Sequence, residues 1–452
     1  MEIKNATYIK LLLVHFFVGV LVFFAPFLSK IITILLFFLF FFYIIKNRNK
    51  NNEALIFAAY IMASEVFFRM TNGVPNNEFA KYCIMIFLST GIFYSGFSKK
   101  TIVYWLFLLF LLPSIILGIY SLNIDVEIRK AIAFNISGPV CLAISAIFCY
   151  QRRISSIEVE KLIMAIIFPI ITTVTYMYLY TPSNRNIFAG TESNFETSGG
   201  FGPNQVSTIL GLGMFVVFVR LILYSKSFFS IIINLFLLAF ISYRGILTFS
   251  RGGVYTGIVM IFIFLASMYF VSNLKGRFKI NIVLIISILV GMFIFAYSSF
   301  QTGGMINKRY SGKDALGRTK TSKFSGREQL VESELKMFVD NPITGVGVGV
   351  NKQYREAMTG VEAASHNEIS RMLAEHGMLG VINLLILIIT PLFLFLNDRS
   401  NIFLFSFYFF WLLTINHAAM RLAAPAFVYA LSLLKVTFAD ETKTPIHRQQ
   451  TL

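Results

Sequence analysis

Three residues in this chain combine the types and placements that chemistry on an anion requires. Arg251 lies in Thr248-Phe249-Ser250-Arg251-Gly252-Gly253 at the start of an apolar run, where free backbone N–H groups favour phosphate. Arg327, in Ser325-Gly326-Arg327-Glu328, falls in the first turn of a predicted helix, since Ser325 and Glu328 have capping-box spacing. The helix dipole disfavours a cation there, so its presence points to an anionic partner. His366, in Ser365-His366-Asn367-Glu368, opens a second short helix that runs through Ile369, Met372 and Leu373 to a stop at Gly377. A guanidinium offers paired donors matched to phosphate oxygens, and an imidazole titrates near neutrality and takes a proton from a hydroxyl. Glu368 is the competing base, and His366 is preferred to it.

Plainer readings stand beside these. Helix-end snorkelling and Glu65–Arg69-type pairing account for any single arginine, and a lone histidine is more often structural than catalytic. Asn204, in Gly202-Pro203-Asn204, and Arg244 are read as neighbours of a site; a helix start that needs Gly and Pro also explains Asn204. His376 reads as a helix-end dipole partner, His15 and His447 as incidental, and His417 as undecided. Gly345, Gly347 and Gly349 permit left-handed turns and close approach of backbone to a ligand, without the spacing of a Walker loop or a dinucleotide fingerprint.

The elements that must carry these residues are membrane helices. The chain of 452 residues is 56% hydrophobic and 13% charged, with 50 Phe and a mean hydropathy of +0.72, too apolar for a soluble core. Apolar runs long enough to cross a bilayer lie near 8–24, 27–45, 54–70, 81–97, 102–120, 131–150, 161–180, 204–223, 228–247, 251–272, 280–298, 377–396, 401–417 and 423–438. The expected fold is all-α, a polytopic membrane protein of about 12–14 transmembrane helices. One large extracytoplasmic loop with short helices interrupts it. The divisions are 1–298, an N-terminal bundle; 299–376, the loop that carries the chemistry; 377–438, C-terminal transmembrane helices; and 439–452, a cytoplasmic tail. The first span follows Lys4 and Lys10 without a cleavage site and reads as an uncleaved anchor. Cys83, Cys141 and Cys149 sit in apolar runs without a CxxC, which indicates neither a disulfide framework nor a zinc site.

Fourteen spans with an inside N-terminus place the lysine-rich short loops on one face, the cytoplasmic one by the positive-inside rule. The long loop then lies outside. Cations on that outer face are mostly arginine: Arg69, Arg129, Arg185, Arg244, Arg251 and Arg421, against Lys81 and Lys130. That bias suggests a held anion. The net charge of +17 answers to anionic lipid at the inner loops, and no soluble basic domain points to nucleic acid.

Taken in order, GPN (202–204), TFSRGG (248–253), SGRE (325–328), NPITGVGVG (341–349) and HNEISRMLAEHGMLG (366–380) resemble the O-antigen ligase and O-antigen polymerase superfamily. The first 200 residues match mainly as hydrophobic spans. The resemblance implies a fold of the membrane glycosyltransferase (GT-C-like) type and metal-independent chemistry with no cofactor. It implies an undecaprenyl-pyrophosphate-linked glycan donor and a saccharide or lipid A core acceptor. It also implies a multi-pass protein in the bacterial inner membrane, with its active site on the periplasmic side. Carried onto this chain, Arg251 and Arg327 hold the donor pyrophosphate and His366 acts at the reacting centre, with Asn204 and Arg244 nearby. Polymerase and ligase stay open. The rival class is a transporter or flippase for lipid-linked or anionic solutes, against which stand the lack of an internal repeat and the gathering of charge at the outer boundary.

Overall fold

In a computed structural model, residues 5–123, 125–181, 190–319, 327–360 and 363–437 are described. Each of the fourteen apolar runs contains a helix, and the last is helical only in its first part. In order they are α1 (Asn5–Phe24), α2 (Phe27–Asn47), α3 (Glu53–Met70), α4 (Phe79–Ser95), α5 (Ile102–Ser121), α6 (Ile128–Cys149), α7 (Ser156–Tyr180), α8 (Pro203–Leu223), α9 (Phe228–Leu247), α10 (Arg251–Val271) and α11 (Leu274–Gln301). The polar segment then holds α12 (Met305–Tyr310), α13 (Arg327–Asp340) and α14 (Asn351–Thr359), before α15 (Glu368–Asn397), α16 (Leu404–Ala418) and α17 (Ala423–Leu431). Ten of these, α1, α2, α5 to α11 and α15, are long and apolar enough to cross a membrane.

Two helices form the centre. The spanning windows of α7 and α8 are 89% and 83% buried, whereas that of α11 is 6% buried and presents Ile285, Leu289 and Phe293 outward. A chain this apolar on its outside is solvated by lipid. The interior helix α3 carries Glu53, Glu65 and Arg69, and α17 is short but wholly buried. Helices shielded by neighbours need neither full length nor full apolarity.

The last expected span, 423–438, departs from the sequence reading. Its helix ends at Leu431, about 14 Å along its axis, and Lys435–Thr437 form a strand, β2, parallel to β1 (Arg153–Ser155). Asn401 donates to Leu434 O (2.9 Å) and Gln151 N–H to Leu433 O (2.8 Å), so the irregular backbone finds its partners at the face where α6 ends and α16 begins.

At the opposite face the polar segment folds back onto the bundle. Val348 N–H donates to Ser114 O (2.9 Å), Val346 N–H to Ala374 O (2.9 Å) and Met378 N–H to Pro342 O (2.7 Å). Gly345, Gly347 and Gly349 all have positive φ, at 69°, 99° and 83°. The close approach they permit is to protein, not to a ligand: a Cβ on Gly345 would sit 2.4 Å from the Glu375 carbonyl carbon. Buried ionic contacts complete the seam. Arg371 engages both Glu368 and Glu375, Glu375 accepts from Gly349 N–H (3.0 Å), and Arg355 pairs with Glu334 at 2.6 Å.

Gly345 and Gly360 share φ +69°, but nothing lies within 4 Å of a Cβ on Gly360. Gly360→Ala should therefore cost only the left-handed penalty of about 1 kcal/mol, whereas Gly345→Ala adds a backbone clash and should cost at least about twice that. Thermal unfolding in detergent reads the difference; equal losses would show that the seam is loose.

Candidate functional site

The site is assembled where α8 and α10 meet. These helices touch backbone to backbone: a Cβ on Gly253 would lie 2.0 Å from Ser207 O, an approach that only small residues allow. Ser207 Oγ donates to Ser250 O (2.8 Å) and Ser250 Oγ to Asn204 Oδ1 (2.8 Å). Pro203 occupies the first helical position of α8, as its fixed φ favours, and Asn204 follows in the same turn. The start of α10, with Arg251 as its first residue, is thereby fixed beside the start of α8.

Around this junction lies a cavity of about 250 Å³, lined by Ser193, Phe195, Gly202, Pro203, Asn204, Gln205, His366, His417 and Arg421. It draws on four separate stretches of sequence. His366 Nδ1 lies 3.1 Å from Ala364 O; a carbonyl only accepts, so Nδ1 carries the proton and Nε2 is the basic nitrogen of the neutral ring. His417 Nδ1 meets Leu413 O at 3.0 Å, and its Nε2 lies 3.3 Å from Thr208 Oγ1, which itself donates to Asn204 O (2.8 Å). The His417 ring rests on the first turn of α10, where a Cβ on Gly252 would be 2.9 Å from Nε2.

Backbone bonds clamp the two histidine segments together. Ala419 N–H donates to His366 O (3.1 Å) and the Arg421 guanidinium to Ser365 O (2.8 Å). Ala419 and the buried Phe249 are non-glycine residues at positive φ, 49° and 57°, each costing about 1–2 kcal/mol. Strain of this kind concentrates at functional sites. Arg48, Asn49, Asn52, Asn72 and Gln151 share the positive φ without lining the cavity, so these two residues adjoin it without marking it.

The sequence-derived candidates divide. His366 and Asn204 line the cavity. Arg251 stands one residue from the His417 contact and donates to Arg309 O at 3.4 Å. Arg244 is buried, with its guanidinium turned to Met177 O (2.9 Å) and Thr197 O (3.2 Å), and is not among the lining residues. Arg327 opens α13, but its side chain, like Ser325, Gly326 and Arg185, lies outside the described residues. Glu368 gives both carboxylate oxygens to Arg371, which ties the competing base into the structural seam. His376 is the last residue before the break in α15 at Gly377 and is fully buried, with neither ring nitrogen bonded among the described residues. Three residues escaped the sequence reading. Arg421 was only one of the outer arginines, and His417 carried no motif. Arg309 donates to Phe249 O (3.0 Å) and Ser193 Oγ (3.3 Å) and pairs with Glu192 at 3.4 Å, so that it holds one wall. Below it, burial raises the Tyr310 phenol well above its ordinary pKa, leaving a neutral hydroxyl beside Arg251 and Arg309. Among the described residues no group of three or more His, Cys, Asp or Glu is placed to hold a metal ion.

Residues 236–385, from α9 through the polar segment into α15, match the family model described as O-antigen ligase. The match supports the O-antigen ligase and polymerase superfamily for this part of the chain. About a third of the sequence carries the match, including Arg251 and His366, while Asn204, His417 and Arg421 lie outside it. No curated protein and no solved structure matches the chain.

If Arg309 holds the cavity wall, Arg309→Ala should free the segment at Ser193. A Cys probe at the buried Thr191, in the same segment, should then react roughly tenfold faster with a maleimide, the equivalent of losing about 1.4 kcal/mol of charge-assisted bonding. An unchanged rate would remove Arg309 from that role.

Proposed function

We propose that this chain is a member of the O-antigen ligase and polymerase superfamily and an integral-membrane glycosyltransferase of surface polysaccharide synthesis, working as polymerase or ligase. It moves a glycan from an undecaprenyl-pyrophosphate donor to a hydroxyl of a saccharide or lipid A core acceptor, at the periplasmic face of a bacterial inner membrane. The observation that carries this reading is the convergence of His366, His417, Asn204 and Arg421 on one cavity at a helix-bundle boundary, backed by Arg251.

In the proposed step the acceptor oxygen attacks the anomeric carbon while the bond from that carbon to the diphosphate oxygen breaks. The bonding electrons leave with the diphosphate, and the hydroxyl proton passes to His366 Nε2. Charge grows on the leaving group, so fixed guanidinium groups stabilise the transition state more than the ground state. Arg251 and Arg327 supply that charge, Asn204 offers its amide to sugar hydroxyls, and Arg244 anchors the end of α9 beside them. An apolar cleft of about 520 Å³ between α8, α9, α10 and α11, bounded by Phe218, Leu238, Ile258 and Leu284, supports a polyprenyl-linked donor. Ile258 lies seven residues along α10 from Arg251, about 10 Å deeper.

The test is purified protein with a defined undecaprenyl-pyrophosphate-linked glycan, with and without lipid A core. His366→Ala should lower transfer by about 10²-fold or more while donor binding persists, and unaltered turnover would remove His366 from the mechanism. Arg251→Lys keeps charge but loses the paired donors, and should lower transfer by roughly tenfold or more; full activity would contradict its role. EDTA should leave the rate unchanged. Inhibition reversed by magnesium would overturn the metal-independent step.

A further inference from the structure

On α3, outside the region matched to the family, a buried ion pair reaches into the walls of the cavity. Glu65, 1% exposed, lies 3.4 Å from Arg69 Nη1. The other Glu65 oxygen accepts from Ala423 N–H at 2.7 Å, which caps the first turn of α17, where a carboxylate is favoured. The same Arg69 nitrogen donates to Arg421 O at 3.2 Å, and the guanidinium stands over the Phe201 ring, 5.2 Å from its centroid. One pair therefore touches both the turn that presents His417 and Arg421 and the turn that leads to Pro203 and Asn204.

Stability alone is a poor reason for such a pair. A buried ion pair gains little over well-packed apolar residues, because desolvation offsets the attraction. Apolar residues, though, have no way to satisfy Ala423 N–H, at the start of α17, and Arg421 O, in the turn before it. The pair fixes where that backbone sits. Through Ala419 N–H to His366 O and Arg421 to Ser365 O, the position of the 419–423 turn then sets that of His366.

We infer that Glu65 and Arg69 are positioning residues that hold Arg421 and His366 in register across the cavity. This rests on the transferase reading for its kinetic consequence but not for its structural one. The N-terminal half is then part of the working site rather than a membrane scaffold alone.

The experiment uses the full chain in detergent with two mild substitutions, Glu65→Gln and Arg69→Lys. Backbone hydrogen exchange is read on a peptide covering 417–423, and transfer is read with an undecaprenyl-pyrophosphate-linked glycan. Both variants should keep wild-type helix content. Exchange in 417–423 should quicken by about tenfold, and kcat should fall at least about tenfold while donor KM stays within about twofold. Wild-type exchange rates in 417–423, or a loss that appears in donor KM rather than in kcat, would overturn the inference. If the wild-type chain transfers nothing from that donor, the transferase reading fails, and exchange at 417–423 by itself decides whether the clamp exists.

Discussion

Backbone N–H and C=O groups inside a bilayer have no water to turn to, so any turn that shapes a cavity there must be satisfied by protein. Here guanidinium groups meet that demand. Arg69 donates to Arg421 O, Arg421 to Ser365 O, Arg309 to Phe249 O, Arg244 to Met177 O and Thr197 O, and Arg355 to Ala363 O. Each bond pins non-helical backbone or a helix end at the same face of the bundle. A planar fork with five donors serves several carbonyls at once, which an ammonium on a flexible stem does less well.

That pattern revises the meaning of the arginine bias. Read from sequence, an excess of arginine over lysine on the loop face marks a held anion. In the structure Arg69, Arg244 and Arg421 of that set are engaged with protein carbonyls, and the bias reflects backbone satisfaction at least as much as ligand charge. Arg251 is the exception in placement: it begins α10 beside Asn204 and the His417 ring, where the free N–H groups of a helix start add to its charge. The strained Phe249 and Ala419 belong to the same design, since both lie in turns whose carbonyls or N–H groups these bonds hold.

The spans were legible because each is a continuous apolar run, and the capacity of glycine for positive φ marked the 345–349 turn and the break at Gly377. What those glycines approach was not legible, since Glu375, Gly118 and Ala131 are distant in sequence. Helix length at the C-terminus was misjudged because Leu433 and Leu434 in the turn and Val436 in the strand are as apolar as the residues of a helix. At the site, His366 and Asn204 were found through motifs. His417 and Arg421 were not, because only the packing of α16 against α10 and α8, and of α17 against α6 and α3, brings a motif-free turn to the cavity. The ion pair of α3 could be read as i,i+4 spacing, but its reach to Ala423 and Arg421 could not.

The most direct measurement is an experimental structure of the chain with a non-transferable phosphonate analogue of an undecaprenyl-pyrophosphate-linked saccharide. Its reacting sugar should lie in the cavity between His366 and Asn204, with the diphosphate mimic against Arg251 and the chain in the cleft between α8, α9, α10 and α11. A saccharide bound elsewhere, with His366 and His417 facing an empty cavity, would contradict the assignment of this site.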